Sequence, residues 1–340
     1  MRDEWERYSR QMLFKPIGED GQKMLSESKV LIVGMGALGT VAANHLARSG
    51  VGHIVFCDRD YVEASNLQRQ SLFDERDALE MLPKAVAAEH KLKAINSSIL
   101  VEGIVTDVTA DNIHGLMHEV DIVMDGTDNF STRYLLNDAA FQYGVPFIYG
   151  GAVSSRGMGA MFIPGDTPCL RCLFPTYDAS GQTCDTIGVL SMVVDAVASQ
   201  EALMAVKYLT GNQDQIERSL YTLDMWRNDQ FSMGFGKAVP ECPTCGTHEF
   251  PSLQASERDR VTTLCGRETV QILHSARFDL NHWATVLQPV VQEVKKTPFL
   301  IKALLKEGET LVLFPDGRTL VQGTEDVMRA KSLFTKYIGS

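Results

Sequence analysis

Gly34, Gly36 and Gly39 stand in the spacing Gly-x-Gly-x-x-Gly directly after the apolar run Val30-Leu31-Ile32-Val33, and Asp58 follows Gly39 by 19 residues. Each position has a physical use at a nucleotide. Gly34 permits a tight turn, Gly36 lets backbone approach a phosphate, and Gly39 lets helix and strand pack closely. The helix that opens there offers unpaired N–H groups and the positive end of its dipole. A carboxylate at the end of the next strand, Asp58, accepts hydrogen bonds from ribose hydroxyls. The competing reading is a tight strand-to-helix turn with no ligand.

Further along, Asp58-Arg59-Asp60 and Asn66-Leu67-Gln68-Arg69-Gln70 add acids and a cation. Asn66 and Arg69 fall on one side of a helical turn. Lys84 sits in the first turn of a helix opened by Pro83, where ammonium and dipole add. Arg10, in Arg7-Tyr8-Ser9-Arg10-Gln11, is a further candidate. Each cation alone also reads as a solvated surface charge. Together they suit a triphosphate better than a nicotinamide, because hydride transfer has little use for several cations around a polyphosphate tail.

The cysteines suggest a metal. Cys169-Leu170-Arg171-Cys172 and Cys242-Pro243-Thr244-Cys245 are two CxxC pairs. Each spacing lets one turn supply two thiolates to a tetrahedral ion, and four thiolates leave no open position, so a structural zinc is expected. The alternatives are a redox pair or ordinary buried thiols; a redox pair normally opens a helix near a βαβ unit, whereas Cys242 follows a loop. Cys184 lies in a polar loop, Gly181–Thr186, as a candidate nucleophile or an accessory thiol, and no adjacent histidine or lysine lowers its pKa. Cys57 reads as core and Cys265 has no assignment. His114 and His118 read as a surface pair.

The elements that must position these groups follow from punctuation and periodicity. Strands are expected at Val30–Val33, His53–Cys57, Leu100–Val105, Val120–Met124 and from Pro146 to Tyr149. Helices are expected at Gly39–Ser49, Pro83–Ile95 and Phe130–Tyr143, after two short helices over residues 3–27. This alternation implies a Rossmann-like, doubly wound α/β fold with a mainly parallel sheet. The sheet is expected to continue into an antiparallel part, Ala152–Ser155 and Met158–Ile163 turning at Arg156-Gly157, before a long helix Val189–Leu209. Residues 246–260 read as a linker. Beyond it a small α+β domain is expected, with a helix Asn281–Val294, a strand Phe299–Leu305, a hairpin at Pro315-Asp316-Gly317 and a helix Thr324–Tyr337. The expected domains are residues 1–254 and 255–340.

The chain has 340 residues and a net charge of −11. Twelve Lys/Arg against ten Asp/Glu from Ala255 onward leave −13 on the first 254 residues. So acidic a body argues against nucleic acid as the main partner. No window reaches the ~18 apolar residues of a membrane span, and the polar start carries no signal region. A cytoplasmic protein is expected.

In their order along the chain, Arg7-Tyr8-x-Arg10-Gln11, the glycine loop, Asp58-x-Asp60, Asn66–Gln70, Pro83-Lys84 and Thr127-Asp128-Asn129 make residues ~3–250 resemble the ThiF/MoeB family of the ubiquitin-activating superfamily. The resemblance implies ATP-dependent adenylation of the C-terminal Gly-Gly carboxylate of a ubiquitin-like sulfur carrier, with release of pyrophosphate, for thiamin or molybdenum-cofactor synthesis. It implies that Asp58 holds the ribose and that Arg69, Lys84 and Asn66 act at the phosphates, with Asp60 beside them. Arg10 would reach the site of a second subunit in a homodimer, and Asp128 would position Mg²⁺. For Asp128 the residues themselves also allow a helix N-cap. Cys184 would join covalently to the activated carrier. A sulfur donor such as a cysteine desulfurase is a further implied partner. The tract Gly150-Gly151-Ala152 with Arg156-Gly157-Met158-Gly159 would suit a narrow passage for a glycine tail, or simply a tight hairpin. The last 80 or so residues lack the cysteine loop of a rhodanese. Competing readings are a relative that activates a peptide or modified tRNA, a non-catalytic partner-binding subunit, and a nicotinamide-dependent oxidoreductase.

Overall fold

The computed structural model describes residues 5–175, 187–254, 261–264, 268–274 and 276–339. Cys184 and Cys265 therefore lie outside the described residues. The chain divides into two units, residues 1–255 and 256–340.

In the first unit, helical turns over Glu6–Tyr8 and α1 (Ser9–Met12) lead to α2 (Gly18–Glu27). Then come β1 (Lys29–Val33), α3 (Ala37–Ser49), β2 (His53–Asp58), α4 (Glu75–Leu79), α5 (Lys84–Ile95), β3 (Leu100–Val105), α6 (Ile113–Leu116), β4 (Ile122–Asp125) and α7 (Phe130–Tyr143). They are followed by β5 (Phe147–Val153), β6 (Arg156–Phe162), α8 (Leu170–Leu173), α9 (Ser191–Leu209), β7 (Ser219–Asp224) and β8 (Asp229–Gly234). The sheet order is β3-β2-β1-β4-β5-β6-β7-β8. Pairing is parallel from β3 through β5 and antiparallel from β5 through β8. The expected doubly wound, mainly parallel sheet with an antiparallel continuation is what the chain forms.

Strand periodicity explains why both faces are covered. Val30 and Ile32 of β1 join Ile54 and Phe56 of β2 in a core under α3 and α5. Leu31 and Val33 join Val55 and Cys57 in a second core with residues of α6 and α7. Strands buried on both faces read as unbroken apolar runs, as these do.

Several expectations need correction in their details. The β5–β6 hairpin turns at Ser154-Ser155 rather than at Arg156-Gly157, with Val153 opposite Arg156 and Ser154 at φ 55°. Gly150 and Gly151 do not interrupt β5. A Cβ on Gly150 would lie 2.3 Å from Glu201 Oε1, one on Gly157 2.3 Å from Val197, and one on Gly159 2.5 Å from the Tyr221 hydroxyl. These glycines make room for α9 and for Tyr221, which accounts for the small residues without a passage. The β7–β8 hairpin escaped sequence reading altogether. Residues 246–254 are no free linker either, because the Ser252 N–H donates to buried Asp138 of α7 at 2.8 Å.

The second unit carries β9 (Val261–Leu264), β10 (Thr269–Leu273), α10 (Leu280–Leu287), β11 (Glu293–Lys296), β12 (Ile301–Leu304), β13 (Thr310–Leu313), β14 (Arg318–Gln322) and α11 (Val327–Tyr337). Its antiparallel sheet runs β11-β12-β13-β14-β10-β9. The expected helix to Val294 stops at Leu287. Pro289 lacks an N–H and its ring clashes with the preceding turn, so the chain turns and Glu293–Lys296 becomes an edge strand. The hairpin at Pro315-Asp316-Gly317 forms as expected, with Leu313 opposite Thr319.

Candidate functional site

In the order β3-β2-β1-β4-β5 successive parallel strands are added to one side of β1 and then, from β4, to the other, and ligands of open α/β sheets bind outside the strand ends at such a switch point. The loops that leave β1 and β4 touch there. Gly34 adopts φ 92°, and a Cβ on it would lie 2.6 Å from the Gly126 carbonyl oxygen. A Cβ on Gly126 would lie 2.2 Å from the Gly34 oxygen, and one on Gly39 only 1.9 Å from it. Only glycine fits at all three positions. Gly36 is the N-cap residue of α3, so the first N–H groups of the helix, which have no partner within it, follow directly on the glycine loop.

Asp58, at the end of β2, braces the loop. Its Oδ2 accepts the Met35 N–H and its Oδ1 the Asp60 N–H, each at 2.7 Å. Burial pushes its carboxyl above the ordinary range, while Lys84 and those two N–H groups oppose the shift. Each carboxylate oxygen has two acceptor positions, so a ribose hydroxyl can still be received.

Lys84 is 3% exposed and opens α5. Its Nζ lies 3.2 Å from Asp60 Oδ2, and its backbone N–H donates to the Asp60 carbonyl at 2.9 Å. Arg59 grips Asp107 through Nη1, at 3.1 and 2.9 Å from the two carboxylate oxygens. Asn66 is buried and its Oδ1 accepts the Glu63 N–H at 3.0 Å, closing the turn from which Arg69 projects. Arg69 Nη1 donates to the Ser65 carbonyl at 3.2 Å. The acidic charge of Asp128 is felt by both Arg59 and Arg133.

Arg10 is placed elsewhere. Its neighbour Gln11 donates to the Ser49 carbonyl at 2.9 Å, and the Tyr8 hydroxyl accepts from Asn96 at 2.7 Å. Ser49 ends α3, and Asn96 also donates to the Ala47 carbonyl there at 2.8 Å, so the turn sits at the end of α3 remote from the glycine loop. The helix spans 13 residues, so Arg10 lies roughly 18 Å along it from its own loop at ~1.5 Å per residue.

The four cysteines of the CxxC pairs come together. Their Sγ atoms all lie within 4.8 Å of one another, with Cys172–Cys245 at 3.3 Å, Cys169–Cys242 at 3.5 Å and Cys169–Cys172 at 4.0 Å. A tetrahedral zinc with ~2.3 Å bonds to sulfur needs sulfurs roughly 3.8 Å apart, so the set fits the ion. Burial, then the neighbouring sulfurs, push the Cys169 thiol up, and burial first also raises Cys245 to about 12. Clustered thiols of this kind ionise when a cation replaces their protons. Among the described residues no other group of three or more His, Cys, Asp or Glu is spaced for a metal.

The ThiF family model matches residues 8–244, a span that contains the glycine-loop site and three of the four clustered cysteines. The chain belongs to the ThiF family. It is 46% identical to the sulfur carrier protein ThiS adenylyltransferase of Bacillus subtilis over 98% of this chain and 99% of that protein. The enzyme of the same name from Escherichia coli is 36% identical over 71% of this chain and 94% of its own length. Among solved structures, Escherichia coli MccB with MccA-N7isoASN superposes with a TM-score of 0.63 at 26% identity, covering 71% of this chain and 75% of that one.

Within this ThiF-family fold, Gly34, Gly36, Gly39, Asp58, Asp60 and Lys84 meet at one crevice. Asn66 and Arg69 share the crossover between β2 and α5. Asp128 precedes α7, but the helix cap is Asn129, whose Oδ1 accepts the Thr132 N–H at 2.8 Å. Cap formation therefore does not occupy Asp128.

The sequence reading missed the support behind Asp128. Arg133 Nε pairs with buried Asp125 at 2.7 Å, and its Nη2 donates to the carbonyls of Thr127 at 2.8 Å and Gly150 at 3.1 Å. Its guanidinium lies 5.0 Å from the Phe130 ring centre and 5.1 Å from that of Tyr149. Asp125 in turn accepts the Thr127 N–H at 2.8 Å and hydroxyl at 2.6 Å. The loop that carries Asp128 is thereby held from beneath. Glu201 lies close by, 1% exposed, with neither carboxylate oxygen hydrogen-bonded. Burial first, then Asp125, push it well above the ordinary range against the opposing Arg133. The spacing Asp125-x-x-x-x-x-x-x-Arg133 was readable, but nothing in it announces a pair.

Proposed function

We propose that this chain adenylates the C-terminal carboxylate of a ubiquitin-like sulfur carrier with ATP and Mg²⁺. A carrier of the ThiS type, serving thiamin synthesis, is favoured over a molybdopterin carrier by the likeness to the ThiS adenylyltransferase along nearly the whole chain. The observation that carries the reading is the position of Lys84. Its ammonium is buried at a helix N-terminus, beside the two acids at the mouth of the glycine loop, where a triphosphate needs a cation.

The carrier's carboxylate oxygen attacks the α-phosphorus, the bond to the bridging oxygen breaks, and pyrophosphate leaves with the electron pair. The nucleophile is already ionised at neutral pH, so no general base is needed. Such transfer depends mainly on position and charge neutralisation. Asp58 receives the ribose hydroxyls. Lys84 exchanges Asp60 for a phosphate, and Arg69 and Asn66 close on the leaving pyrophosphate. Mg²⁺ asks for one or two carboxylates besides phosphate oxygens and water. Asp128, exposed on a braced loop, is suited to hold it, and a bound ion would neutralise developing charge. Arg10 cannot reach its own loop, which supports a homodimer in which a second copy supplies it. The four cysteines hold a zinc that joins residues 169–172 to 242–245 and takes no part in the reaction. Cys184 would receive the activated carrier, and a cysteine desulfurase is the class of sulfur donor required. The described residues contain no helix long and apolar enough to cross a membrane, in keeping with a cytoplasmic enzyme.

The test is ATP–pyrophosphate exchange with purified ThiS-type carrier. Exchange is expected only with the carrier present, and full exchange in both Lys84→Ala and Arg69→Ala would reject the assignment.

A further inference from the structure

Asp138 lies in the middle of α7, fully buried, and donors from three separate segments converge on it. The Thr244 hydroxyl donates to Oδ1, as does Asn137 Nδ2 at 3.3 Å. Arg171 Nη2 donates to Oδ2 at 3.1 Å, and the Ser252 N–H at 2.8 Å. The donors are also bound to each other. Arg171 Nε reaches the Thr244 hydroxyl at 3.2 Å and Nη2 reaches that of Ser252 at 2.9 Å. The guanidinium lies 4.4 Å from the Tyr134 ring centre. The neighbouring Asn137 accepts the Leu170 N–H at 2.9 Å.

The identity of the donors matters. Arg171 lies between Cys169 and Cys172, and Thr244 between Cys242 and Cys245. One buried carboxylate thus grips the middle of both cysteine turns, which come from segments 73 residues apart. The two turns touch directly through Arg171 and Thr244 and through their sulfurs, but sulfurs that ionise as an ion enters repel one another and drive the turns apart. A charged acceptor that binds both turns opposes that spreading. It also gives the half-buried Arg171 cation its counter-charge, without which its partial burial would be costly.

We propose that Asp138 is the positioning residue that pre-assembles the four-cysteine site, fixing both turns to α7 at metal spacing before the ion arrives. The proposal rests on the zinc reading above. An asparagine at 138 keeps the shape but loses the charge and turns an N–H₂ toward donors. A valine at 244 removes only the hydroxyl that links the second turn.

The experiment uses the zinc-loaded full chain, mixed with an excess of a chromophoric chelator while zinc release is followed. Asp138→Asn and Thr244→Val should each release zinc faster, by about 10–100-fold for the former. A cobalt(II) titration of the stripped proteins supplies a second readout. The thiolate charge-transfer band should rise at higher cobalt concentration in both variants than in the wild type, whereas a packing defect alone leaves that midpoint in place. Release and titration at wild-type values in both variants, with native circular dichroism, would overturn the proposal. If Asp138→Asn does not fold, Thr244→Val decides. A wild-type protein that holds no zinc overturns the zinc reading and this inference together, whereas a zinc-holding wild type with unaltered variants overturns only the inference.

Discussion

Asp58 and Asp138 are both buried aspartates whose two oxygens accept hydrogen bonds, yet they organise opposite kinds of site. Asp58 takes N–H groups from Met35 and Asp60, 23 and 2 residues away, and leaves its cationic neighbour Lys84 leaning on Asp60. Besides the adjacent Asn137, Asp138 takes its donors from residues 33, 106 and 114 positions away, one of them a cation. At the glycine-loop end, cations rest on carboxylates, and in the proposed reaction a phosphate would replace the carboxylate. At the cysteine end the network is closed, and its job is to keep two turns from separating. A site that must exchange partners is built from short-range geometry and borrowed counter-charges. A site that must not move is built from long-range, buried, mutually satisfied polar groups.

Substitution should separate the two ends. The largest effect is expected at the crevice: Lys84→Ala or Arg69→Ala should lower carrier-dependent ATP–pyrophosphate exchange by about 10²–10³-fold, the scale of removing one electrostatic stabiliser of developing charge. Urea unfolding of Arg69→Ala should stay near wild type, because that side chain is not part of the core. If Arg69→Ala instead loses stability and keeps exchange, the division between the two ends fails.

Behind the Asp128 loop the balance should reverse. Asp125→Ala leaves Arg133 buried without its counter-ion and should cost about 3–5 kcal/mol in denaturant unfolding. A loss below ~1 kcal/mol would show that the pair does not brace the loop.

Glu201 gives a smaller, pH-dependent effect. Burial first, then Asp125, raise its carboxyl well above the ordinary range, so the unfolded chain releases this proton at lower pH than the folded one. Stability from this group is therefore complete below the ordinary glutamate range. It falls as pH rises, by at most about 1.4 kcal/mol per pH unit, until the folded-state pKa is passed. Glu201→Gln removes that slope. Unfolding free energies from pH 5 to 8 should converge at the acid end and favour the variant at the alkaline end, and parallel curves would contradict the assignment.

The smallest effect is at the cap. Asn129→Ala should cost about 1 kcal/mol, read as a lowered urea midpoint.

How much could be read in advance follows the same division. The glycine loop, Asp58 and Lys84 are fixed by local rules of turn, helix start and strand end, and each was legible from spacing. The CxxC pairs were legible because a metal demands two ligands from one turn. Asp138 was not, since a buried aspartate in a helix looks in sequence like any helical acid and the partners that matter lie 33 to 114 residues away. Gly126 was missed for a related reason: its need for glycine comes from Gly34 across the sheet. Pro289 was readable and was passed over because the apolar pattern continued beyond it. The β7–β8 hairpin offered Asn228-Asp229 between β-forming residues, a weak signal beside the cysteines that follow.

The most direct measurement is intact-mass analysis of a panel of Gly-Gly-ended carriers incubated with the enzyme, ATP and Mg²⁺. The account predicts that a ThiS-type carrier gains the mass of one adenylate, and that the gain disappears when Lys84→Ala replaces the wild type. A ThiS-type carrier that stays unmodified by active, folded enzyme, or one adenylated equally by Lys84→Ala, would contradict it.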